Sequence, residues 1–313
     1  MAITVTKADQ IITVDAVTFT IYSQPGLGKT SLAFTANSPL LLDFDKGSYR
    51  AYGRKDVVQV SKWSDVAGMT AGDLADYETI IVDTVGKALE FLSTDIIEGN
   101  SALAYSGALN QRGWGQLGVR FGAFLRKLRS FGKDIILVSH MDEKADGDTI
   151  KERLKIPGGS KDLVLTDSDV IARIFIQQKN RHLVFSPTDT AFGKDPAGFG
   201  SMSLPDVSRP EFETCLADII AKIKDGLNSL SSAQVERRSE VEWFDDNLPL
   251  MMDADAINAV LGRAKKVGRD VSLKVTKRAE ELGLEFDQET RSYVYLEELD
   301  ASEKPDETLE AAE

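Results

Sequence analysis

The sequence predicts an α/β fold with a mainly parallel sheet, followed by a small, mostly helical C-terminal unit and an acidic tail. Three observations predict it. Apolar runs at residues 17–22, 39–45, 79–83 and 134–140 are nearly continuous, as strands buried on both faces must be. Helix-like stretches alternate with them, which argues for parallel crossovers. The first of these runs leads directly into Gln24-Pro25-Gly26-Leu27-Gly28-Lys29-Thr30-Ser31 and an apolar helix start, the order that a P-loop requires.

Taken in order, residues 11–14 and 17–22 read as short strands, the second feeding that loop. Gly26 and Gly28 let backbone N–H groups turn towards the β- and γ-phosphates of a nucleotide, where a Cβ would obstruct them. The helix starting near Lys29 adds the positive end of its dipole. Lys29 supplies a mobile cation, and the Thr30 hydroxyl is a ligand for Mg²⁺. ATP and Mg²⁺ are therefore the expected cofactors. The strict pattern asks for glycine at position 23, where Ser23 stands.

Residues 39–45 form a buried strand ending in Asp43 and Asp45. Asp45 is the choice for polarising an attacking water, whereas Asp43 has the plainer option of capping or pairing with Lys46. Residues 57–60 read as a further strand. Asp83 closes the run 79–83 and is the acid expected to hold Mg²⁺; its structural reading is a cap on the next helix, 86–97. Residues 98–118, rich in Gly, Ser and Asn, read as a loop before a basic helix, 119–131. His140 ends the strand 134–140 at the carboxyl edge where ligands collect in such sheets. It is either a sensor of the γ-phosphate or a satisfied structural histidine.

Beyond it, residues 141–163 are polar with several glycines and read as a mobile loop. Strands at 170–177 and 182–186 follow, then a glycine-rich loop, 192–205, an amphipathic helix, 209–224, and a linker, 227–234. The domain reading is 1–228 for the nucleotide-binding part and 235–296 for the small unit. That unit has helices at 254–266 and 271–282 and a strand at 292–296. Residues 297–313 carry eight acids against Lys304 and are expected to be disordered.

Composition narrows the class. The chain has 313 residues, 42% hydrophobic and 28% charged, which is ordinary for a globular protein. No apolar run reaches membrane-spanning length, and the first residues lack the pattern of a secretory signal, so a cytoplasmic protein is expected. Cys215 is the only cysteine, which excludes an intramolecular disulfide, and two histidines argue against a zinc enzyme. The net charge of −13 argues against a protein coated in nucleic acid but leaves room for a local basic channel.

The order P-loop, LLLDFD, TIIVDT, IILVSH resembles the RecA-like recombinase core. It looks most like the phage-encoded, RecA-related ATP-binding proteins of the Sak type, which anneal single-stranded DNA. The resemblance spans about residues 10–225 and implies a RecA-like P-loop NTPase core. In that superfamily a glutamate usually serves where Asp45 stands, an arm one methylene longer, so the resemblance implies slow hydrolysis. Asp83-Thr84 matches the pair that closes the Mg²⁺ strand, and His140 takes the place of a glutamine that couples nucleotide state to the DNA loop.

Further expectations follow from the resemblance. DNA would touch residues 98–118, with Tyr105, Arg112 and Trp114, and residues 141–163, with Lys144, Lys151, Arg153, Lys155 and Lys161. The bland readings are a solvated loop, since five acids offset the second set, and a helix anchor for Trp114. In an oligomer, a ring or filament, Lys194 or Arg181 would reach a neighbour's γ-phosphate. The acidic tail would solubilise, compete with DNA or recruit a partner such as a single-stranded DNA-binding protein. The functional expectation is an ATP- and Mg²⁺-dependent, single-stranded DNA-binding recombinase or annealing protein. The alternative is a nucleotide-dependent switch or loader acting on a protein partner without DNA. A small-molecule kinase is disfavoured, because no arginine-rich lid follows the fourth strand.

Overall fold

The computed structural model describes residues 11–147 and 149–295. These divide into two compact units, residues 13–228 and residues 11–12 with 229–295. The first unit opens with β1 (Thr18–Ser23), the short helix α1 (Lys29–Ala33), β2 (Pro39–Asp43), β3 (Asp56–Gln59), α2 (Ser64–Ala67) and β4 (Thr79–Asp83). Then come α3 (Val85–Gly99), the two-residue strands β5 (Ala104–Tyr105) and β6 (Ala108–Leu109), and α4 (Gln111–Ser130). After them run β7 (Asp134–Asp146), β8 (Thr149–Leu154), α5 (Ser160–Asp167), β9 (Val170–Gln177), β10 (Asn180–Val184) and β11 (Ser201–Ser203). Helix α6 (Cys215–Asn247) begins in this unit and ends in the second.

Among the described residues the main sheet has nine strands in the order β11-β10-β9-β1-β7-β4-β2-β3, with β8 paired to β7. Strands β9, β1, β7, β4, β2 and β3 pair in parallel; β10, β11 and β8 join antiparallel. The predicted class, α/β with a mainly parallel sheet, is the one observed. Side chains alternate between two cores. Leu40, Leu42, Ile80, Val82, Ile135 and Leu137 pack with Leu89 and Leu92 of α3 and Phe121 and Leu125 of α4. Phe19, Ile21, Leu41, Ile81 and Ile136 pack on the other face with Leu32 of α1 and Ile219, Ile220 and Ile223 of α6. Each fully buried Leu or Ile contributes about 1.5–3 kcal/mol, so both faces of the sheet must be apolar, and the runs are continuous for that reason.

Several expectations are corrected. Ile11 and Ile12 are exposed and form no strand. The loop expected over 98–118 is confined to residues 100–110, because Asn110 caps α4 by accepting from Gly113 N, and the helix starts eight residues early. Gly113 belongs inside that helix: a Cβ there would stand 2.6 Å from the Leu103 carbonyl oxygen. The polar stretch 141–163 is not a mobile loop. Its first part continues β7 and folds back as β8, with Lys144 opposite Lys151 and Asp142 opposite Arg153, and α5 follows. Gly147, at φ +61°, makes the turn. The linker expected over 227–234 lies within α6, since its Ser, Ala and Gln residues contain no glycine or proline to break a helix.

In the second unit α6 is followed by α7 (Ala254–Val267), α8 (Arg269–Glu281) and a hairpin of β12 (Leu284–Asp287) and β13 (Ser292–Tyr295). Phe244, Ile257, Val260, Val271, Val275 and Tyr293 form its core. Strand β12 is an addition to the predicted elements. The acidic tail, 297–313, lies outside the described residues. No helix among the described residues is long and apolar enough to cross a membrane.

Candidate nucleotide site

Sheet register assembles the site. Strand β7 lies between β1 and β4, so Ser23 at the end of β1 sits beside His140, and Asp83 at the end of β4 sits beside Val138 and Asp43. The carboxyl ends of four parallel strands therefore meet at the loop that follows β1. A cavity of about 390 Å³ opens there, lined by Gly26, Gly28, Lys29, Thr30, Asp45, Asp83 and His140 among others. The backbone at Gly26 (φ +81°) and Gly28 (φ +83°) is left-handed, which is why glycine stands at both positions.

Lys29 folds back over this loop. Its Nζ donates to the carbonyls of Ser23 and Gln24 and to Ser23 Oγ, at 3.1, 3.0 and 3.1 Å. Ser23, fully buried, thus helps hold the amine. Burial lowers the Lys29 pKa to about 8, partly opposed by Asp83 and Asp45. Thr30 Oγ1 donates to Asp83 Oδ2 at 2.6 Å. Burial raises the Asp83 pKa to about 6, against the Thr30 hydrogen bond, which lowers it.

Asp45 and His140 face each other less tightly, with His140 Nε2 3.9 Å from Asp45 Oδ2, too long for a direct hydrogen bond. His140 Nδ1 is buried and has no partner. Burial, followed by the nearby Lys29 charge, lowers the His140 pKa, which keeps the ring neutral at pH 7. Asp43 is buried and structural: it accepts from Gly47 N, Ser48 N and Gln59 Nε2. Of the two acids ending LLLDFD, only Asp45 lines the cavity.

Other predicted residues lie elsewhere. Gln24 Nε2 donates to Glu143 Oε1 of β7 at 3.0 Å, linking the loop to the β7–β8 hairpin. Pro25 and Ser31 line the cavity, whereas Leu27 packs against the apolar core. Lys194, expected to act on a neighbour's γ-phosphate, lies outside its own chain's cavity and donates from Nζ to the Ser168 carbonyl at 2.6 Å. Arg181 lies beside its own chain's loop, where a Cβ on Gly28 would stand 2.6 Å from its Nη1. Arg50, Gly47 and Ala51 also line the cavity, and sequence reasoning missed them. The signal available was a glycine turn carrying an arginine directly after an acid-ended strand.

The predicted basic residues separate as well. Lys151, Arg153 and Lys161 line a second cavity, about 270 Å³, with Thr188, Asp189 and Phe192. Lys161 Nζ lies 5.7 Å from the Phe192 ring centroid. Lys144 and Lys155 are exposed and outside it. Trp114 is half-buried, packing against the core and beside Gly158. Tyr105 stands exposed.

Residues 15–197, more than half of the chain, match the AAA domain family AAA_24. The chain belongs to that AAA domain family. Its P-loop, Asp83 and His140 all fall within the matched span. Among curated proteins none matches. Among solved structures the chain resembles a KaiC-like protein, PH0186, from the hyperthermophilic archaeon Pyrococcus horikoshii OT3. That likeness has 11% identity and a TM-score of 0.35 over 60% of this chain and 89% of the other.

Proposed function

We propose that the protein is an ATP- and Mg²⁺-dependent, single-stranded DNA-binding recombinase or annealing protein of the phage type, working as a homo-oligomer. Membership of the AAA domain family supports nucleotide-dependent ATPase activity in general. The observation that carries the finer reading is the β7–β8 hairpin. Strand β7 brings His140 to the nucleotide cavity, and the hairpin it forms brings Lys151 and Arg153, with Lys161 of α5, to one cleft beside an aromatic ring. Cations that track phosphates beside an aromatic surface suit single-stranded DNA. One hairpin thus joins a nucleotide sensor to a polyanion site.

The residues fit Mg²⁺. Thr30 Oγ1 and Asp83 Oδ2 present paired oxygen donors in the cavity, the hard ligands this ion prefers. No group of three or more His, Cys, Asp or Glu side chains among the described residues forms a cage of its own. That suits an ion carried in with nucleotide phosphates, where it would offset developing charge. In this reading Lys29 binds phosphate, Asp45 orients the attacking water, and neutral His140 reports the γ-phosphate to the hairpin.

Fluorescence anisotropy with a labelled single-stranded oligonucleotide tests the proposal. ATP with Mg²⁺ should strengthen binding, and log affinity should fall linearly with log salt. Replacing Lys151, Arg153 and Lys161 together by alanine should flatten that slope by about 2, since each phosphate neutralised by a cation adds roughly 0.7 to it. No binding at low salt in any nucleotide state would favour the second reading, a switch acting on a protein partner, which the net charge of −13 supports.

A further inference from the structure

We infer that Arg50 is a phosphate-binding residue of the nucleotide site, a guanidinium supplied by the same chain to the polyphosphate. The inference rests on the nucleotide reading above. It starts from Asp43, whose buried carboxylate fixes the turn after β2 by accepting from Gly47 N at 3.2 Å, Ser48 N at 3.1 Å and Gln59 Nε2 at 3.1 Å. Gln59 Nε2 also reaches Ser48 Oγ at 3.3 Å. Farther along, Tyr52 N donates to Ser31 Oγ at 3.0 Å, tying the segment to the helix that carries Lys29 and Thr30. Arg50 sits between these two anchors, in the short turn Ser48–Arg50.

Its side chain lies over Gly47, where a Cβ would stand 2.6 Å from Arg50 Nη2. Glycine at 47 is what leaves room for the guanidinium. Arg50 rests on the Tyr49 ring, 5.3 Å from its centroid, and forms no ion pair among the described residues. It lines the same cavity as Lys29, Thr30 and Asp83.

Charge gives this placement its meaning. Two carboxylates, Asp45 and Asp83, line the cavity, and His140 is held neutral. Lys29 and Arg50 are the lysine and arginine in the same lining. A nucleoside triphosphate with its Mg²⁺ adds net negative charge, and the Lys29 amine already serves three oxygens. The Arg50 guanidinium has no hydrogen-bond acceptor among the described residues, and its planar form matches phosphate oxygens in pairs. An anchored turn, space made by glycine, and an unpaired cation all point to the phosphate chain.

The test is equilibrium binding of ATP, ADP and AMP, each with Mg²⁺, to the full-length protein and to its Arg50→Ala, Arg50→Gln and Arg50→Lys variants. Arg50→Ala removes a charged hydrogen-bond donor and should weaken ATP and ADP about ten- to hundredfold, with AMP changed less than about twofold. Arg50→Gln should follow Arg50→Ala, and Arg50→Lys should recover part of the loss. Unchanged ATP affinity, or an equal loss for all three nucleotides, would overturn the inference. The second pattern would put Arg50 on the base or ribose. Lowered unfolding midpoints with loss of all binding in every variant would make it structural, and would overturn it too. A parent protein that binds no nucleotide would sink the functional reading together with this one, whereas a failure confined to the variants leaves that reading standing.

Discussion

Thr30 Oγ1 donates a 2.6 Å hydrogen bond to Asp83 Oδ2, joining the end of the P-loop to the end of β4 across the intervening strand β7. The bond occupies the oxygens that Mg²⁺ would need. Asp83 is also buried, which raises its pKa from 3.8 to about 6. A metal ligand must be deprotonated. Affinity for ATP with Mg²⁺ should therefore fall as pH drops through about 6, and Asp83→Asn should remove that limb of the profile. The effect on folding has the opposite sense. Between pH 3.8 and about 6 the folded chain holds a proton that the unfolded chain has released, so this group's contribution to stability declines as pH rises through that window. Titration calorimetry and thermal unfolding over that range check both.

Lys29→Ala should cost nucleotide affinity about ten- to hundredfold, the range for a hydrogen bond to a charged group. It also strips a donor from the Ser23 and Gln24 carbonyls. Above pH of about 8 the parent protein should lose affinity for the same reason, because burial lowers the Lys29 pKa to that value. Binding measured from pH 7 upwards should fall in the parent and stay flat in the variant.

Asp43→Ala should destabilise the first unit by about 1–3 kcal/mol, since it leaves buried donors without an acceptor. Those donors are Gly47 N, Ser48 N and Gln59 Nε2. Thermal unfolding checks it. The same variant should weaken nucleotide binding indirectly, by freeing the turn that carries Arg50.

Gly28→Ala forces a Cβ into left-handed backbone, at about 1–2 kcal/mol, and against Arg181. We expect lower nucleotide affinity and a lower unfolding midpoint. Gly132→Ala, also left-handed (φ +73°) but with open space around its Cβ, should lower the midpoint alone.

What the sequence disclosed follows from how local each signal is. The P-loop and the acid at Asp83 were legible because strand, turn and helix start stand in one short segment. The parallel sheet was legible because burial on both faces removes the polar alternation from each strand. Asp43 and Asp45 stand two residues apart, and only the fold shows that Asp43 is taken up by Gly47 N, Ser48 N and Gln59 of β3 while Asp45 lines the cavity. The β7–β8 hairpin was hidden by charge, since Lys144, Lys151 and Arg153 read as a solvated loop until they pair across the strands. Asp146-Gly147 was a hairpin signal present in the sequence. The cavity residue Arg50 needed the fold, because its placement depends on hydrogen bonds that Gly47 N and Tyr52 N donate to Asp43 and Ser31, around a turn with no motif of its own.

If nucleotide state and DNA meet through β7, as we propose, ATP hydrolysis should respond to single-stranded DNA. A slow basal rate should rise several-fold with single-stranded DNA at low salt. That rise should vanish when Lys151, Arg153 and Lys161 are replaced together by alanine, while the basal rate holds. A rate indifferent to DNA at every salt concentration would contradict it.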